Sequence, residues 1–148
     1  MQFKYDKYPE AEEFYRRVLA IRQQAYGPDD PAMASTAGML GRMYVNSGKL
    51  AEAEPLLGQE VELDTKTLGP DDATVFLSLS ILASVQKQRE EYGLSEKSYV
   101  RMLQMEKNNP NLQKVFSLSS TYQVLSELAH LQGNDAQAAL YREQARSQ

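Results

Sequence analysis

Apolar positions along the chain fall at helical spacing and then repeat as blocks. Ala11, Tyr15 and Leu19 stand at i, i+4 and i+8, as do Ala53, Leu57 and Val61, and then Ser95, Tyr99 and Leu103. Residues so spaced share one face of a helix. Between these blocks lie others with apolar residues three and four apart: Met39, Leu40, Met43 and Tyr44; Ile81, Leu82 and Val85; Leu125, Leu128 and Ala129. No stretch sustains a strict apolar–polar alternation, so the pattern predicts helices and no sheet.

The breaks between blocks repeat too. Gly27-Pro28-Asp29-Asp30 returns 42 residues later as Gly69-Pro70-Asp71-Asp72. The same offset aligns Tyr8, Leu50 and Tyr92, and also Ile21, Leu63 and Met105. A fourth copy follows with one residue inserted, so that Gly133 lies 85 residues after Gly48. Each full copy reads as two helices. The predicted helices span 8–26, 32–47, 50–68, 73–91, 94–108, 112–132 and 135–146. Gly27 and Gly69 suit the position just past a helix end. Asp30 and Asp72 are expected N-caps, with Asn111 in that role where Asn109-Pro110-Asn111 replaces the loop. Gly48 and Gly133 close the short turns inside a copy, and Glu90-Glu91 fills the same turn in the third. One helix pair cannot bury both of its apolar faces, so neighbouring pairs are expected to stack as an α-solenoid. The expected organisation is a single domain over residues 1–148. A partial repeat at 8–30 precedes repeats at about 31–72, 73–114 and 115–148.

Composition narrows the function classes. Cysteine is absent, which excludes disulfides and thiolate metal sites. The formal net charge is −4, and no Lys/Arg run resembles a nucleic-acid footprint. No apolar stretch approaches the ~20 residues needed to span a bilayer. Met1 to Asp6 holds no apolar signal core, so a cytoplasmic protein is the expectation.

Leu40-Gly41, Tyr44, Gly48, Leu50, Ala53 and Leu57 resemble the consensus positions of a tetratricopeptide repeat. The 42-residue period resembles the longer repeat of kinesin light chains. Gly48-Lys49-Leu50-Ala51-Glu52-Ala53-Glu54-Pro55-Leu56-Leu57 and Leu68-Gly69-Pro70-Asp71-Asp72 follow that form closely, and Tyr8 to Tyr15 also matches it. The resemblance implies an all-α solenoid of stacked antiparallel helix pairs wound as a right-handed superhelix. It also implies a scaffold or adaptor that binds a protein or peptide, not an enzyme. One departure concerns the family's paired Asn in the first helix, which helps hold a peptide backbone. Gly38-Met39, Ser80-Ile81 and Gln123-Val124 stand in its place.

The resemblance further places certain first-helix residues on a concave groove. They are Ser35, Gly38, Met39, Arg42, Val45 and Asn46; then Ser80, Ile81, Ser84, Lys87 and Gln88; then Gln123, Val124, Glu127 and Leu131. The expected partner-binding set within them is Met39, Arg42, Asn46, Ile81, Ser84, Lys87, Gln88, Gln123 and Glu127. The mixture lacks the Lys/Arg cluster of a carboxylate clamp, so an apolar or mixed partner segment is expected over an acidic tail.

Other candidate chemistry is thin. His130, the one histidine, has no ligand at metal spacing and reads as a polar helix residue. Asp29-Asp30 and Asp71-Asp72 lack the alternation of a calcium loop. No phosphate loop or nucleophile elbow occurs, so neither metal nor cofactor is expected. Glu10, Glu12, Glu13, Glu52, Glu54 and Glu60 read as solvated helix faces. Tyr15, Tyr44, Tyr92 and Tyr99 read as core, as do Met39, Met43, Met102 and Met105. Helix 8–26 has no first helix before it, and Phe14 and Ile21 stand off its packed face. Phe3 and Tyr5 give little cover. That end is expected to belong to a longer adaptor or signalling protein, or to form a homodimer in a self-associating array.

Overall fold

A computed structural model describes residues 8–148, in which seven α-helices and one 3-10 turn occur and no strand. Residues 1–7, and with them the expected cover from Phe3 and Tyr5, lie outside the described residues. The chain divides into two compact units, Met1–Gly69 and Pro70–Gln148, each taken by itself below.

In the first unit, α1 is Tyr8–Tyr26, α2 is Pro31–Asn46 and α3 is Leu50–Leu68. Asp30 starts α2 by accepting a hydrogen bond from the Ala32 N–H at 2.8 Å, with Pro31 at the first helical position. An extended cap followed by proline satisfies the helix end at little cost. The α2–α3 pair packs around small residues. Ala53 and Ala37 are fully buried, and a methyl group on Gly41 would come within 2.9 Å of Leu57. Backbones approach closely there because the repeat supplies no bulk. Met33 and Ala34 of α2 join Leu63 of α3 in a core cluster, with Leu19 of α1 packed against it.

In the second unit, α4 is Ala73–Gln88, α5 is Tyr92–Asn108, α6 is Leu118–Leu131 and α7 is Asp135–Arg146. Asp72 caps α4 by accepting from the Thr74 N–H at 2.7 Å, as expected. The pairs α4–α5 and α6–α7 pack internally, and α5 packs on α6. Phe76, Met102, Leu125 and Leu128 are among the most buried side chains.

Three boundaries differ by more than one residue from the sequence reading. Helix α4 stops at Gln88 rather than residue 91, and α5 begins at Tyr92 rather than 94. The expected helix 112–132 is two elements. A 3-10 turn, Pro110–Lys114, comes first and buries Leu112, and α6 starts at Leu118. Asn111 is therefore not the cap. Asn109 accepts from the Asn111 N–H to cap the turn, and Ser117 accepts from the Ser120 N–H to cap α6. The Asn109 side chain also donates to the Asp71 carbonyl at 3.0 Å, which ties this irregular loop to the start of its unit.

Candidate partner-binding site

The first helices α2, α4 and α6 carry the expected site residues at matching turns. Met39, Ile81 and Val124 occupy one repeat position, and all keep some apolar surface in solvent; Met39 is 42% exposed. Met39 is thus not core, in contrast to Met102 and Met105, which are buried. Met43 is half-buried, as are Tyr15 and Tyr92, while Tyr44 and Tyr99 lie in the core. Asn46, Gln88 and Leu131 share a second repeat position and are all exposed. Gln123 is exposed too.

Within the second unit the structure joins several predicted residues. Lys87 of α4 pairs with Glu127 of α6 at 2.8 Å, which links two consecutive first helices. Gln88 donates through Nε2 to the Ser84 hydroxyl at 3.2 Å, one turn apart on α4. Ser80 is occupied locally, donating to the Leu77 carbonyl.

In the first unit, one predicted groove residue does not line a surface. Gly38 is buried, and the place of its missing Cβ is taken up by the Glu60 carboxylate. Glu60, read from the sequence as a solvated face, is only 4% exposed. It reaches from α3 across α2, and the Arg42 Nη1 donates to both of its oxygens at 3.1 Å. Arg42 therefore holds a buried carboxylate, and its reversal to Glu would set two like charges against each other. One signal for this was available: Glu60 aligns in the repeat with Val18 and Met102, an inward column.

Other polar groups serve packing. Arg16 and Lys49 both lie against the Tyr44 ring, and Glu12 accepts from the Tyr44 hydroxyl at 3.1 Å. Glu106 on α5 is fully buried, and its Oε1 accepts from the Thr121 hydroxyl on α6 at 2.7 Å. Desolvation pushes its carboxyl above the ordinary glutamate value, and the Thr121 bond opposes the shift. His130 is exposed, and among the described residues its ring pairs with Asp135, at 2.6 Å. Among the described residues, no three His, Asp or Glu side chains converge as metal ligands, and no helix is long and apolar enough to cross a membrane.

A tetratricopeptide repeat model matches residues 3–66. No curated protein matches the sequence. Among solved structures, BtubC (BKLC) from P. vanneervenii is similar over 97% of this chain, at 18% identity and a TM-score of 0.75. The nearly identical TPR-like repeats of a kinesin light chain from Podosopora anserina are similar over 96%, at 20% identity and a TM-score of 0.73. A point variant of that protein gives 0.74 at 20% identity, again over 96% of this chain. The chain spans 57% of the BtubC chain and 67% and 66% of the other two, and at these identities the likeness concerns the fold alone. Residues 3–66 thus match the tetratricopeptide repeat by sequence, and the helix pairs beyond them share the fold of tetratricopeptide-like repeats.

Proposed function

We propose that the chain is a protein-interaction module whose first-helix faces take a partner protein or peptide segment. The observation that carries this is the repeated half-exposed apolar position, Met39, Ile81 and Val124, flanked on each helix by hydrogen-bonding side chains. Apolar surface rimmed by polar groups, at Met39 in the first unit and at Ile81 and Val124 in the second, suits a mixed segment. The partner-binding set is Met39, Arg42 and Asn46 in the first unit. In the second it is Ile81, Ser84, Lys87, Gln88, Gln123 and Glu127. The reading is one of recognition, not catalysis, since no nucleophile, base and orienting group are brought together among these residues.

The test exchanges the Lys87 and Glu127 charges. A Lys87→Glu, Glu127→Lys chain keeps an ion pair between α4 and α6, so its stability should stay within about 0.5 kcal/mol of the parent. Its affinity for a peptide selected by display on the parent chain should fall several-fold. Equal affinity in a folded variant would remove these residues from the site.

A second reading rests on α1, where Phe14 is 61% and Ile21 65% exposed. Pro9, Glu10, Glu13, Phe14 and Arg17 line a shallow depression there. In this reading the face pairs with a second copy in a closed two-fold contact. Sedimentation should then show dimers that a Phe14→Glu, Ile21→Glu variant loses. A parent chain that stays monomeric at high micromolar concentration would reject this reading.

A further inference from the structure

We propose that Glu106 and Thr121 form a protonation-controlled joint that positions α6 against α5, and so sets the spacing of the two first helices that carry the second unit's partner site. The inference rests on the reading of the first-helix faces as that site, and adds its regulation. Glu106 touches no partner segment; it is a positioning residue that acts through α6.

Both residues are fully buried where α5 packs on α6. Glu106 Oε1 accepts from the Thr121 hydroxyl at 2.7 Å, and Oε2 is sealed from solvent without a hydrogen bond. Other buried polar contacts tie helices within a pair. Ser95 donates to the Ala83 carbonyl and Ser98 to the Gln86 side chain, which holds α5 to α4. Ser126 donates to the Ala138 carbonyl and Ser119 to the Ala145 carbonyl, which holds α7 to α6. Across the α5–α6 joint, Gln132 bonds Glu96 at the exposed rim, and the Glu106–Thr121 bond lies inside. The site straddles this joint. Ile81, Ser84, Lys87 and Gln88 stand on α4, which moves with α5; Gln123 and Glu127 stand on α6, just beyond Thr121. Lys87 and Glu127 meet across the span at 2.8 Å, so a shift of α6 on α5 changes it.

Protonation decides how well the joint closes. A neutral Glu106 keeps the Thr121 bond and brings no charge into the packing. An ionised one places a charge there with a single neutral donor, which is costly. Among the described residues, no counter-charge faces it from the elements packed on α5. The one charged side chain of α4 is Lys87, at the end away from Glu106 and paired with Glu127. On α6, Glu127 is exposed, His130 lies beside Asp135 in the last turn, and the Tyr122 ring lies under the Lys107 ammonium. Lys114 of the 3-10 turn is exposed, and Gln113 of that turn donates to the Glu106 backbone carbonyl. Before α4, Asp72 caps the helix and Asp71 accepts from Asn108. On α5 itself, the adjoining turns present Met102 and Leu103 on one side and Asn109 on the other. As pH rises through the folded value of Glu106, ionisation therefore favours a looser α5–α6 packing that admits water to the carboxylate. The Lys87–Glu127 span opens, and a segment held on both α4 and α6 loses affinity. In acid the joint stays closed.

The test has two arms, both on the full chain with melting curves to confirm folding. In the free protein, carboxyl-carbon NMR follows the Glu106 titration while amide shifts follow α6. The amides of Thr121, Gln123 and Glu127 should share the Glu106 midpoint and lose that transition in Glu106→Gln. Thr121→Val removes the bond that steadies the charged form, so it should move the shared midpoint upward. In the second arm, a peptide selected by display on the parent is titrated against the parent and Glu106→Gln between about pH 4 and pH 8. The parent's affinity relative to the variant should fall several-fold above the midpoint, by no more than about tenfold per pH unit for one proton. The ratio cancels the titrations of His130, Glu127 and the peptide. A flat ratio overturns the inference, as do α6 amides that ignore the Glu106 titration; in both cases binding to the first-helix faces still stands. A parent chain that selects no peptide overturns that broader reading instead, and the α6 amides then decide the joint alone.

Discussion

Glu106 is a carboxyl group with no exposed surface, one hydrogen bond from Thr121, and an Oε2 with no partner. Its carboxyl is raised above the ordinary 4.5 because burial penalises the charged form. The folded state therefore holds this proton more tightly than the unfolded chain does. Well below the ordinary value the group is neutral in both states and makes no difference. As pH rises through the folded value, stability is lost, and the loss persists above it. Glu106→Gln should remove that slope, giving a variant more stable than the parent at neutral pH, with the gap closing in acid. Melting curves across pH check this, and parallel curves for the two chains would contradict it. The residue scale is also where the sequence was hardest to read. Met39 and Met102 are the same residue type on helices of successive repeats, yet one is exposed and the other buried. Spacing gave the face of each helix but not the depth of each side chain. Glu60 was missed because a glutamate is nearly always solvated, and here the Gly38 gap opposite gives its carboxylate room.

Among the elements, the turn inside each repeat shows how little sequence is needed to fix a connection. Gly48, Glu90 and Gly133 occupy one repeat position with φ of 78°, 60° and 77°. Each turn closes with the same bonds: the N–H at that position reaches the carbonyl three residues back, and the next N–H reaches the one five back. The backbone thus imposes a left-handed residue even where the side chain does not favour it, at a cost of roughly 1 kcal/mol for a non-glycine. Glu90→Gly should raise stability by about that amount in urea denaturation. A variant no more stable than the parent would show that the turn is unstrained. Helix existence and most ends were legible, because Asp30, Asp72, Gly27 and Gly69 carry their own stop and start chemistry. The split of 112–132 was not. Leu112 fits an apolar helical spacing equally well from a 3-10 turn, and the Ser117 cap lies inside what looks like a continuous run.

For the whole molecule, the 42-residue register made the tetratricopeptide fold legible, since several columns agreeing in successive copies leave few other architectures. The candidate site was legible only as a set of positions. The sequence could place Met39, Arg42, Lys87 and Glu127 on first helices, but not show that Lys87 and Glu127 pair or that Arg42 is tied to Glu60. Such contacts join residues 18 and 40 apart in the chain and depend on how helices pack. The central claim is that these first-helix faces receive the partner. Amide chemical-shift mapping of the chain with a display-selected peptide tests it most directly. The account predicts shifts centred on Met39, Arg42 and Asn46 in the first unit and on Ser84, Lys87, Gln88, Gln123 and Glu127 in the second. Shifts confined to the Phe14 and Ile21 face of α1, with these residues unmoved, would contradict it.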